Sequence, residues 1–461
     1  MSKMDDVLVL GGGFAGMAAA AALAPHARTI TIIERDELPA GPEARRGLPQ
    51  AAHAHMFWSG GADAIEALLP GTQNAWMDAG ANRVPIPTGM VSLSPGGWYR
   101  LWPESHYLIA ASRDLIDWGV RGRLGTLPNV QIMWGTEPIA LLGDASRIRG
   151  ARVRGRDGAE REVKAKLVID ATGRTSRGPH WLSALGVQHI PVETVDAGVT
   201  YATARIKAPT PTAHWPVINI QADPRLGRPG KVATILPIEH DEWIVSLSGT
   251  RGASPTNRAE DFETYARNTR SPLVADLLAA AGPIDSVVVT RTTANRRYRY
   301  EKARRLPDGF LAIGDAATAL NPVYGHGLSV AALSALALQR VAERRGIAER
   351  GFTKLARRAM ARPAAGAWML ATAQDARFPG AEGKRVTVAD NVANWYVNRL
   401  IYTATGDITV TTALTDLMTL KKGPLALANP RVLLAALCGP QMRSLPGPPL
   451  PPATAALLLV T

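Results

Sequence analysis

Gly11-Gly12-Gly13-Phe14-Ala15-Gly16 stands between the apolar run Val7-Leu8-Val9-Leu10 and the alanine-rich stretch Met17 to Leu23. A second β-branched run, Thr29 to Ile33, ends at Glu34, 23 positions after Gly11. This is GxGxxG in a strand–turn–helix setting, a pattern that cradles a dinucleotide. Gly11 makes the tight turn, Gly13 lets the backbone approach a pyrophosphate, and Gly16 lets helix and strand pack closely, with Phe14 and Ala15 between them. The helix start offers unpaired N–H groups to phosphate oxygens. Glu34, followed by Arg35, can accept hydrogen bonds from ribose hydroxyls, and its charge would repel a 2′-phosphate, which disfavours NADP as the bound nucleotide. The motif alone does not separate FAD from NAD.

A second glycine motif breaks that tie. Phe310-Leu311-Ala312-Ile313 opens on Gly314-Asp315-Ala316, then Asn321-Pro322-Val323-Tyr324-Gly325-His326-Gly327-Leu328. A carboxylate fixed at a strand end can bind a polyol chain, and small residues before a helix let N–H groups meet negative charge on a ring. Here the chain resembles the flavoprotein monooxygenases of the p-hydroxybenzoate hydroxylase class. The resemblance implies that Asp315 binds the ribityl chain and that Pro322, Gly325, His326 and Gly327 lie beside the flavin ring. Leu167-Val168-Ile169-Asp170-Ala171-Thr172-Gly173 is similar to the middle motif of that class, with Thr172 where hydroxylases carry Asp. Arg113 matches the helix arginine that reaches the FAD phosphates, and Arg45 the loop arginine that moves with substrate and flavin. More narrowly, Arg45 to His55, Trp58-Ser59-Gly60-Gly61, Leu68 to Thr72, Asp196 to Thr203 and Ser248 to Gly252 resemble the flavin epoxidases of polyether-antibiotic biosynthesis, the monensin and lasalocid type. The similarity runs from Gly11 to about Trp368.

What the resemblance implies is an FAD-dependent monooxygenase that uses O2, with NAD(P)H as direct or indirect electron source, through a separate flavin reductase in the indirect case. A C4a-hydroperoxyflavin would epoxidise a double bond of a polyketide or terpenoid, and the protein would supply no nucleophile of its own. It must supply a dry cavity beside the ring and a pose for the hydrophobic alkene. Trp98, Trp102, Tyr107, Trp215 and Tyr324 are candidates to line it. An aromatic hydroxylase is the alternative, although the sequence shows no clear phenol-activating base, and a noncatalytic basic binding protein is a third reading. His53-Ala54-His55 lacks partners at metal-ligand spacing, so no metal is expected there and a structural or flavin-proximal role is favoured. Arg296-Arg297-Tyr298-Arg299-Tyr300 is read as a half-exposed strand edge rather than a nucleic-acid contact. GxSxG, WxWxIP, a P-loop and a second GxGxxG are all missing.

The elements that must position these residues fit an α/β fold: a Rossmann-type FAD-binding domain, a β-sheet substrate domain and a C-terminal helical region. Residues 1–75, 106–180 and 286–345 are expected to build the FAD-binding part, 76–105 and 181–285 the substrate sheet, and 346–461 the helical region and a loose proline-rich tail. With 461 residues, 46% of them hydrophobic, several packed units are expected, and the single cysteine, Cys438, excludes an internal disulfide. One thiol and no signal-peptide pattern at Met1 to Asp6 suit the cytoplasm. No stretch approaches the ~20 apolar residues of a transmembrane span. The net charge of +13 favours an acidic partner without choosing one.

Overall fold

Val7 to Leu10 form the middle of a five-stranded parallel sheet in the computed structural model, which describes residues 5–458. The strand order is Phe310–Ala312, Leu167–Asp170, Asp5–Leu10, Ala27–Ile33, Val130–Met133. Both faces of such a sheet are covered, so its strands read as unbroken apolar runs rather than alternating ones. The helix Phe14–Leu23 is buried nearly all round, and its alanines let it lie against both the sheet and the helix Gly327–Arg345. Turns at Gly143-Asp144 and Asp157-Gly158 join an antiparallel insertion, Thr136–Gly143, Ile148–Gly155 and Glu160–Lys164.

A second sheet has seven strands, in the order Val288–Thr290, Thr200–Lys207, Glu242–Gly249, Lys231–Ile238, Val217–Ile220, Met90–Ser94, Gly97–Trp98. One face carries Ala202, Ala204, Ile206, Ala233, Ile235, Trp243, Val245 and Leu247 and packs on the helices Ala259–Arg267 and Leu273–Ala279. The other face turns toward the nucleotide-binding part. Its Val217, Leu236, Ile238 and Ile244 pack on a small sheet made of Met56–Trp58, His106–Ala110 and Asn82–Ile86.

Three expectations need correction. The proline-rich tail is not loose, because its leucines alternate with the prolines. Leu445, Leu450, Leu457 and Leu458 pack against the outer core of the seven-stranded sheet. The strand Asn295–Tyr298 is not an edge but the centre of a three-stranded sheet, where Arg297 is 2% exposed and donates to Ala361 O at 2.8 Å. The helices Ala259–Arg267 and Leu273–Ala279, inside the span expected to be sheet, are divided before Pro272.

Beyond Gly327–Arg345 the chain is helical, with helices Phe352–Asp375, Val388–Thr403, Ile408–Met418 and Pro430–Cys438. The end of Ile408–Met418 reaches back to the glycine motifs: Gly60 N donates to Thr419 O, and the His326 ring to Met418 O at 3.0 Å. Among the described residues no helix is long and apolar enough to cross a membrane.

Candidate active site

The glycine motifs meet at the carboxyl ends of three neighbouring parallel strands. Gly11 has a φ of +104°, and a Cβ on it would lie 2.5 Å from Ala171 O, so the first turn rests on the middle motif. Gly314 has a φ of +61°, and a Cβ there would lie 2.6 Å from Ala15 Cβ. Two turns 303 positions apart in sequence are therefore in contact. Ala171 N donates to Leu10 O and Ile313 N to Asp170 O, continuing the sheet into the turns. Three motif glycines face open space: a Cβ on Gly13 would find only Leu48 Cδ2, at 3.9 Å, and one on Gly173 or Gly327 nothing within 4 Å. The helices starting after Gly13 and His326 have no side-chain cap, so their first N–H groups remain free for an anion. His326 is 1% exposed and its Nδ1 lacks a hydrogen-bond partner. An elongated, negatively charged dinucleotide fits this cradle.

A buried set of charges closes one end. Glu34 Oε2 accepts from Gly12 N at 2.8 Å, and Oε1 accepts from Asp36 N at 2.9 Å. Arg45 lies 3.3 Å from Glu34 and 3.4 Å from Asp117, and Arg113 Nε donates to Asp117 at 2.7 Å. Asp117 was not foreseen, although its spacing of four from Arg113 is a helix-pair signal. Burial and the neighbouring Arg45 hold the Arg121 pKa below its usual value. Arg35 points away from the cradle, donating to Gly47 O at 3.1 Å and so pinning the loop that carries Arg45.

At the second motif, Asp315 is half-buried, and its nearest cation, Arg174 Nε, is 3.8 Å away. Arg174 follows Thr172-Gly173 and fastens the middle turn by donating to Ala294 O and Leu320 O. Thr172 is tied inward: its N and Oγ1 both donate to Asp170, a carboxyl whose pKa is raised by complete burial.

Beside Pro322 and Gly325 lies a hydrogen-bond chain that sequence reasoning missed. Buried Asp375 accepts from Asn321 Nδ2 at 2.8 Å, Asn295 Nδ2 at 2.6 Å and the Tyr324 hydroxyl at 2.7 Å. Asn321 Oδ1 accepts from the Tyr201 hydroxyl at 2.8 Å. Burial, then the Asp375 charge, push both tyrosines well above the usual range, and burial raises Asp375 itself. Asp375 was illegible because it lies 54 positions beyond Asn321, on another helix.

Of the aromatic residues expected to line the cavity, only Tyr324 adjoins these motifs. Trp98 and Trp215 belong to the outer core of the seven-stranded sheet, where Trp215 stacks edge-on against Trp243 at 4.6 Å. Tyr107 turns toward the helices, bonded to Asp63 and Gln73. Trp102 sits between the strands Gly97–Trp98 and His106–Ala110, its carbonyl accepting from Thr88. The strand register decides this, and side-chain size gives no sign of it. Among the described residues no cluster of His, Cys, Asp and Glu could hold a metal.

A strand–turn–helix cradle built from three separated motifs defines a dinucleotide-binding protein of the flavoprotein type. Two family models match the chain, the FAD dependent oxidoreductases over residues 6–176 and the FAD binding domain over residues 116–343. Protein Rv3254 of Mycobacterium tuberculosis is 30% identical over 394 residues, covering 81% of each chain. The chain belongs to the FAD-dependent oxidoreductase family. Its fold is shared with the flavin-dependent brominase Bmp2, at 16% identity and a TM-score of 0.66, covering 90% of this chain and 93% of that one. It is shared equally with p-nitrophenol 4-monooxygenase PnpA from Pseudomonas putida, at 17% identity and a TM-score of 0.64, covering 92% and 100%.

Proposed function

We propose that the protein is an FAD-dependent monooxygenase that epoxidises a carbon–carbon double bond of a hydrophobic polyketide or terpenoid intermediate, with O2 as co-substrate and NAD(P)H as the ultimate electron source. Bound FAD supplies the redox chemistry and the activated oxygen. Gly11, Gly13 and Gly16 and the free helix N–H groups would receive the pyrophosphate. Glu34 would take the ribose, Arg113 and Arg45 the phosphate charge, and Asp315 the ribityl chain. Gly325, His326 and Gly327 would face the ring.

The observation that carries the alkene reading is the set of segments Arg45 to His55, Trp58 to Gly61, Leu68 to Thr72, Asp196 to Thr203 and Ser248 to Gly252, which resemble the flavin epoxidases. An alkene needs only orientation and the exclusion of water. The alternative, an aromatic hydroxylase, has its own support: Tyr324 donates to Asp375, so its oxygen can accept a phenol's proton while its own passes to the carboxylate.

The test is incubation of the holoprotein with a flavin reductase, NADH, O2 and a panel of polyenes and phenols. A product one oxygen heavier that opens to a diol in acid supports epoxidation. A new phenolic hydroxyl supports the alternative.

A further inference from the structure

The inner face of the seven-stranded sheet carries a strip of polar side chains. Thr203 pairs with Ser246, Ser246 with Thr234, Thr234 with Asn219 and Asn219 with Ser92, so that five consecutive strands each place a hydroxyl or amide on one line. Thr203, Ser246, Thr234 and Ser92 are buried, at 3 to 7% exposure. One register step to one side the face is apolar, with Ile244, Leu236 and Val217 packed on the small sheet. One step to the other side stands Tyr201, bonded to Asn321 of the flavin motif. The strip therefore runs between the apolar rows and Tyr201, on the face of the sheet that meets the flavin motif. The buried hydroxyls of the strip are bonded within the chain, Thr203 with Ser246, Thr234 to Asn219 and Ser92 from Gln221, while their spare oxygen lone pairs can still accept.

At one end of the strip stands His53, whose own hydrogen bonding is incomplete. It is 3% exposed, its Nδ1 is 2.7 Å from Thr203 Oγ1, its ring is 5.8 Å from that of Tyr201, and its Nε2 has no partner. Hydrogen-bond direction fixes its tautomer. Ala54 N donates to Ser246 Oγ, and Ser246 Oγ lies 2.8 Å from Thr203 Oγ1. If the Ser246 hydroxyl donates to Thr203, and Thr203 to Nδ1, every hydroxyl proton in the chain is used. The reverse direction would strand the Ser246 proton. Nδ1 is thus the acceptor, and Nε2 carries the hydrogen on the opposite side of the ring. Burial also lowers the His53 pKa to about 4, so the ring is neutral at pH 7.

We infer that His53 Nε2–H, together with the strip from Thr203 to Ser92, is a binding subsite for an oxygen atom of the substrate, a hydroxyl or carbonyl. The inference rests on the monooxygenase reading and narrows it: the molecule oxidised is an oxygen-bearing unsaturated chain, not a bare hydrocarbon. His53 acts as a hydrogen-bond donor that sets the pose, and not as a proton acceptor.

Two measurements on the FAD-loaded full chain test this. In the first, histidine is labelled with nitrogen-15 and His53 is assigned by the signal lost in His53→Gln. At pH 7 the Nε2–H tautomer is expected, and an Nδ1–H tautomer or a cation overturns the inference without any ligand. In the second, farnesol and farnesene, which share a carbon skeleton, are titrated against the oxidised holoprotein while the flavin absorbance is followed. Farnesol is expected to bind about tenfold more tightly, a gap of one hydrogen bond. The gap should close in His53→Leu and persist in part in His53→Gln, whose amide can still donate. Should His53→Leu fail to fold, Thr203→Val serves instead, since it frees the ring from its tautomer lock. Equal affinity for the two probes in the parent, or a gap unchanged in His53→Leu or Thr203→Val, overturns the inference. A farnesol preference without any oxygenated product would leave the subsite standing and count against the monooxygenase reading.

Discussion

The two faces of the seven-stranded sheet are both largely covered and differ in chemistry, the inner one setting a polar strip beside its apolar row. The outer face is apolar, from Ala202 to Leu247, and is sealed by two helices and the tail leucines. The inner face carries Thr203, Ser246, Ser248, Thr234 and Ser92 at similarly low exposure. A sheet that only needed a core would be apolar on both covered faces. The polar strip thus marks the face that stability alone does not explain, and stability and ligand recognition separate by strand parity.

Substitutions on the two faces should have different consequences. Trp243→Ala on the outer face removes a fully buried ring packed on Trp215. It should cost about 3–5 kcal/mol in a denaturant titration, with the probe preference retained in the surviving folded protein. A large loss of that preference would show that the faces are not independent.

Acid should act in part through the inner face, alongside His55 and His326, whose pKa values are also lowered by burial. His53 titrates at about 4 in the fold against 6.5 in the unfolded chain, so between those values the unfolded state binds more protons and stability falls as pH falls. The difference approaches roughly 3 kcal/mol at the bottom of that window. His53→Gln should flatten the stability profile there relative to the parent, although Asp170 and Asp375, whose pKa values are raised, contribute the opposite slope in both proteins. An unchanged difference between pH 6.5 and pH 4 would contradict burial of a neutral ring.

Thr203→Val keeps the shape but leaves His53 Nδ1 and Ser246 without their partner, a loss of about 1–2 kcal/mol with weakened farnesol binding. Thr234→Val should be the mildest. Its hydroxyl donates to Asn219, which is half-exposed and can turn to water, so stability should change by less than about 1 kcal/mol. Only the affinity for oxygen-bearing probes should decline, and a loss of stability comparable to that of Trp243→Ala would erase the distinction between the faces.

Much of the cradle was legible because its signals are local. Gly11 to Gly16, Glu34 and Gly314-Asp315 declare a turn, a charge and a strand end within a few residues. The period of two in Thr200 to Lys207 and Glu242 to Gly249 is also visible, but a polar alternate row usually means solvent, and here it is covered. Which strand lies beside which is not local: nothing in Met90 to Ser94 announces that Ser92 will join Asn219, or that Trp98 will face outward. Asp375, likewise, gains its meaning only when the long helix Phe352–Asp375 crosses the Asn321 turn.

The parallel sheet seats the first strand, Asp5–Leu10, beside Leu167–Asp170, which in turn lies beside Phe310–Ala312. During synthesis the opening turn is therefore exposed long before its counterparts leave the ribosome. A nascent polypeptide stopped short of Gly314 would present half a receptacle, so prosthetic-group capture has to follow synthesis through that turn. Expression at low riboflavin should accumulate a polypeptide that protease cuts readily near its opening glycine turn.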